Sequence, residues 1–134
     1  MSMKIDHIGV AVHSLEAVRE LFEKALGIPS AGREEVSSHK VRVEFYQIGE
    51  LRIECLEPIA EDSSIAKFLA KKGEGIHHIA IVVPDIAQAL KRALEHGIEL
   101  IDREPRLGAG GCKIAFLHPK STHGILIELV EEIN

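Results

Sequence analysis

Two stretches of this chain are written twice. Ile5-Asp6-His7-Ile8-Gly9-Val10-Ala11-Val12 returns as Ile76-His77-His78-Ile79-Ala80-Ile81-Val82-Val83, and Leu51-Arg52-Ile53-Glu54-Cys55-Leu56-Glu57 returns as Ile125-Leu126-Ile127-Glu128-Leu129-Val130-Glu131. His7 and His78 are 71 residues apart and Glu54 and Glu128 are 74 apart, so the second copy carries a three-residue insertion. A duplicated unit of this length folds as two like modules. Each copy opens on a strand with a histidine and closes on a strand with a glutamate. Two imidazoles and two carboxylates together are a donor set for a divalent cation.

Alternation places the residues on faces. Ile8, Val10 and Val12 share one face of the first strand and His7, Gly9 and Ala11 the other; the second copy repeats this parity around His78. Glu54 lies between Ile53 and Cys55, and Glu128 between Ile127 and Leu129, so each carboxylate faces away from an apolar layer. A carboxylate in that setting is costly to bury without a partner or a cation. His77 faces the helix side and is the weaker ligand. In Val41-Arg42-Val43-Glu44-Phe45-Tyr46, Glu44 is expected on the ligand face; the plainer expectation pairs it with Arg42 or Arg52 in solvent.

The spacing predicts a helix from the Ser14 cap to Gly27, and another from Pro84-Asp85 to Gly97. Strands are expected at 32–36, 41–48 and 50–57 in the first copy, and at 99–104, 113–118 and 124–131 in the second. Ser63 to Gly73 reads as a linker helix. The fold expected is α+β: tandem β-α-β-β-β modules forming a curved mixed sheet around a metal-binding cleft. Residues 1–134 form one domain, with module one over about 3–59, the linker over about 60–74 and module two over about 75–134.

Composition excludes some classes. A net charge of −5 lacks the basic footprint of a nucleic-acid binder. No apolar run approaches the roughly 20 residues of a membrane span, and no targeting segment precedes the first strand, so a cytoplasmic protein is expected. Cys55 and Cys112 are too few for a disulfide framework. Gly108-Ala109-Gly110-Gly111 permits positive φ and close approach of backbone N–H groups to an anion; Lys113 follows it, and Lys120 sits in the turn after His118.

These segments resemble the vicinal oxygen chelate (glyoxalase-like) superfamily, over essentially the whole chain, and within it most nearly the methylmalonyl-CoA epimerases. The resemblance rests on Ile5-Asp6-His7-Ile8, Ser64 to Leu69, Gly75 to Ala80, Glu104 to Gly111, His118-Pro119-Lys120-Ser121 and Gly124 to Leu129. It implies His7, Glu54, His78 and Glu128 as ligands of one divalent ion, Co²⁺ foremost, with Mn²⁺, Ni²⁺, Fe²⁺ or Zn²⁺ as alternatives. It implies Glu44 and Glu128 as the acid/base pair that moves the C2 proton of methylmalonyl-CoA in propionate metabolism. A CoA thioester would then be the ligand, with Gly110, Gly111, Lys113, Lys120 and Arg106 as candidate contacts, and a second copy of the chain the partner. The same ligand pattern also serves a glyoxalase I-type lactoylglutathione lyase, and the fold serves non-catalytic resistance proteins that bind a drug.

Overall fold

The computed structural model describes residues 3–133. The chain divides into two compact units, His7 to His77 and a second made of the opening residues with His78 onward. Within the first, β1 (Lys4–Ala11), β2 (Gly32–Val36), β3 (Val41–Ile48) and β4 (Leu51–Pro58) run in the order β2-β3-β4-β1. β1 lies parallel to β4, and the other pairs are antiparallel. The second unit repeats the scheme with β5 (Gly75–Val82), β6 (Arg106–Leu107), β7 (Lys113–Leu117) and β8 (Ile127–Glu131), ordered β5-β8-β7-β6 with β5 parallel to β8. The crossover after the first strand of each unit places a helix over one face of its sheet.

In the first unit that helix is α1 (Leu15–Arg19), capped by Ser14, whose Oγ accepts the Ala17 N–H at 3.2 Å. It widens into a π-helical turn over Glu20–Ala25, with Leu26 N–H reaching Leu21 O. The apolar spacing predicts helix here but not the widening. Phe22 stacks on Tyr46 at 4.5 Å, and Tyr46 Oη donates to Glu23, so the wider turn accompanies two contacts to one β3 residue. Val12, Leu15, Tyr46 and Cys55 form the buried layer beneath. The linker helix α2 (Ser64–Lys72) forms where expected. Ser63 Oγ accepts from Ile65 and Ala66, and Gly73 N–H returns to Leu69 O. Its Ile65 and Leu69 pack on Ala11, Val41, Val43 and Leu56, so the face opposite α1 is also partly apolar.

In the second unit α3 (Ile86–Glu95) is capped by Asp85 Oδ1, which accepts from Gln88 N–H. Ile86 and Leu90 cover Val83, Ala115, Leu117 and Leu129. The strand expected over residues 99–104 is reduced to a single bridge, Leu100 to Leu117. Asp102 takes the Phe116 N–H with its own side chain, which replaces a ladder bond, and Pro105 lacks a donor. The ladder resumes only at the two-residue β6. Among the described residues no helix is long and apolar enough to cross a membrane.

Candidate active site

Each module brings its own histidine and glutamate together. In the first, β1 and β4 run parallel with Gly9 beside Glu54, which puts His7 and Glu54 on one face. His7 Nδ1 lies 3.2 Å from Glu54 Oε2, and both side chains are buried. Arg52 Nη2 approaches the same oxygen at 3.1 Å, with its guanidinium 5.6 Å from the Phe45 ring. In the second, Ala80 pairs with Glu128, and His78 Nε2 lies 3.0 Å from Glu128 Oε1, both again buried. Phe116, directly across from Glu128, meets the His78 ring edge-on at 5.8 Å. Ala80, Ile114 and Val130 form the buried floor on this face, with Cys112 and Phe116 packed against it. His77 turns instead to α2, edge-on to Phe68 at 4.9 Å.

Glu44 is placed differently from the sequence expectation. It stands directly across from Cys55, whereas Glu54 stands across from Phe45. Cross-strand partners share a face and neighbours in a strand do not, so Glu44 occupies the α1 face and Val43 and Phe45 the ligand face. The carboxylate is buried there, accepting from Ser30 Oγ and from Arg33 Nε at 2.7 Å. Arg42 and Arg52, the partners expected from sequence, go to Glu57 at 2.6 Å and to Glu54. Alternation failed to choose between the faces because β3 is buried on both. Hydrogen bonding to Glu44 raises the Arg33 pKa. Burial, reinforced by the Glu44 charge, pushes the Cys55 thiol up to about 12. Burial likewise lifts the Tyr46 phenol well above its usual value, with Glu23 adding to it.

The candidate substrate contacts separate. Lys113 pairs across the ladder with Glu131, their charged atoms 3.9 Å apart, on the face covered by α3 and away from Glu128. Lys120 is exposed in a one-turn 3₁₀ helix capped by His118 Nδ1. Gly110 and Gly111 both have positive φ, +72° and +79°, as the loop reading requires. Gly108 matters for space instead: a Cβ there would lie 2.7 Å from Ile114 Cγ2. Arg106, by contrast, is on the His78 side of the sheet. It pairs with Ile114, and its guanidinium lies 5.6 Å from the Phe116 ring. A hollow of about 810 Å³ between α3 and the 103–107 segment, lined by Leu90, Leu94, Arg106 and Leu107, includes neither His78 nor Glu128.

A family model for the glyoxalase/bleomycin resistance protein/dioxygenase superfamily matches residues 6–116. An uncharacterized Bacillus subtilis protein is 43% identical over 96% of this chain and 91% of its own. The ethylmalonyl-CoA/methylmalonyl-CoA epimerase of Cereibacter sphaeroides is 38% identical over 94% of this chain and 96% of its own. Among solved structures, a Streptomyces coelicolor methylmalonyl-CoA epimerase variant in complex with 2-nitronate-propionyl-CoA superposes with a TM-score of 0.90 at 38% identity, covering 96% of this chain and 94% of that one. The chain belongs to the glyoxalase/bleomycin resistance protein/dioxygenase superfamily, with methylmalonyl-CoA epimerases among its relatives.

Proposed function

We propose that this protein is an isomerase that interconverts the two C2 configurations of methylmalonyl-CoA, with one divalent cation held by His7, Glu54, His78 and Glu128. The observation that carries the reading is the repeated pair: a buried imidazole against a buried carboxylate at equivalent positions of both modules, 3.2 Å apart in one and 3.0 Å in the other. The substrate comes from the relatives, whose names give methylmalonyl-CoA.

The residues suit such an ion. Imidazole nitrogen and carboxylate oxygen are the donors that divalent first-row ions accept. Cobalt leads, with manganese, nickel, iron and zinc served by the same donors. When bound, the cation supplies positive charge that offsets the negative charge developing on the thioester as C2 loses its proton.

The chain's own groups move the proton. Inversion at carbon by two bases needs an acid and a base on opposite sides. Glu128 takes one side. Its equivalent in the duplicated architecture, Glu54, takes the other in place of Glu44, whose carboxylate is engaged by Ser30 and Arg33 on the α1 face. His7 and His78 orient these two carboxylates. A homodimer is the expected assembly, to be read by light scattering.

Solvent deuterium incorporation at C2 of methylmalonyl-CoA tests the reading. Exchange is expected from the cobalt-loaded protein and is lost with chelator. Exchange undiminished in a His78→Ala/Glu128→Gln double variant, or absent from the cobalt-loaded protein, overturns it.

A further inference from the structure

On the second unit one cation is built into place beside the ligand pair. Asp102 is shared between two donors: Oδ2 accepts the Phe116 N–H at 2.8 Å, and Oδ1 lies 3.2 Å from Arg106 Nε. The guanidinium is thereby laid over the Phe116 ring, 5.6 Å from its centre. The same ring meets the His78 imidazole in edge contact at 5.8 Å. Arg106, Ile114, Phe116 and Glu128 share one sheet face through the β6-β7-β8 register. With Nε committed to Asp102, the two terminal nitrogens have no ion-pair partner among the described residues, and the side chain is 47% exposed. A fork held by one carboxylate and one aromatic face keeps its remaining donors ready for a second, bidentate anion. Lys113, one strand over, is turned to the opposite face and tied to Glu131.

We infer that Arg106 is a substrate-binding residue that clamps an anionic group of the thioester, with Asp102 and Phe116 as its positioning residues. The inference rests on the epimerase reading for its ligand. Two groups of a malonyl-type CoA thioester offer this chemistry, the acyl carboxylate and the nucleotide phosphates.

Calorimetric titration of wild type and Arg106→Gln separates them, using malonyl-CoA, propionyl-CoA, which lacks the carboxylate, and malonyl-pantetheine, which lacks the nucleotide phosphates. The substitution is expected to weaken malonyl-CoA by about tenfold or more, with Arg106→Lys restoring part of the loss. A loss shared with malonyl-pantetheine but not propionyl-CoA assigns the carboxylate; a loss shared with propionyl-CoA but not malonyl-pantetheine assigns the phosphates. Unchanged binding of all three, or an equal loss for all three, overturns the clamp. Wild type that binds malonyl-CoA yet exchanges no deuterium into methylmalonyl-CoA removes the epimerase reading and leaves Arg106 standing. Wild-type exchange alongside unaltered binding by the variant removes Arg106 alone.

Discussion

Glu57 closes the start of α1: its Oε2 accepts the Leu15 N–H at 2.9 Å, while Arg42 holds its other oxygen at 2.6 Å. The second module repeats the device residue for residue. Glu131 Oε1 accepts the Ile86 N–H at 2.9 Å at the start of α3, and Lys113 approaches Oε2. A carboxylate at a helix N-terminus satisfies an orphan donor and complements the macrodipole. Glu57→Ala and Glu131→Ala are each expected to lower unfolding stability by about 1–2 kcal/mol, read as a shifted urea midpoint with unchanged slope. Neither substitution removes a ligand.

Glu44→Gln distinguishes the two faces of β3. On the α1 face its loss weakens a buried, charge-assisted set of bonds, so stability should fall by about 1.5–3 kcal/mol. Deuterium exchange at C2, corrected for folded fraction, should stay within about threefold of wild type. A drop of about a hundredfold with stability intact would return Glu44 to the chemistry.

The proposed ligand set predicts loss of bound metal without loss of the fold. His78→Ala should lower cobalt affinity by more than about 100-fold, beyond what loss of an outer partner does. Bound metal per chain after dialysis is the measurement. Because protons compete for the same donors, retention in the wild type should decline as pH falls.

Cys55 gives a pH dependence whose sign is fixed. Its thiol is raised from 9.0 to about 12 by burial and then by Glu44. Above pH 9 the unfolded chain ionises this thiol and the folded chain does not, so stability present below pH 9 is lost as pH rises toward 12. The slope is about 1.4 kcal/mol per pH unit over that window, seen as a falling melting temperature. Cys55→Ala should flatten the curve. Cys55 should also resist maleimide at pH 8 until the protein unfolds.

Much of this was legible in the chain, for identifiable reasons. That His7 lies against Glu54, and His78 against Glu128, could be read because a polar residue recurs at the same parity in both copies; duplication supplied a check that no lone residue offers. Glu57 and Glu131 lay inside the same repeated stretches, yet nothing in a strand pattern says that a carboxylate reaches a helix start 42 or 45 residues away. Glu44 was misplaced because β3 buries Val43 on one side and Tyr46 on the other, so alternation gave parity without saying which side was which. Lys113 was attractive as a cation beside a glycine loop, but register turns it toward α3. The π-helical turn depends on Phe22 meeting Tyr46, a contact between distant segments that apolar spacing does not encode.

Gly108 carries a consequence beyond its own loop. The space a methyl would need is already filled by Ile114, and Ile114 belongs to the apolar bed that lies with Ala80 and Val130 on the Glu128 side of the sheet. An alanine at this position would push from the rim inward, lifting the bed rather than loosening the rim. The absence of a side chain at Gly108 therefore helps set the packing of the Glu128 side of the second module, whatever the loop itself contacts.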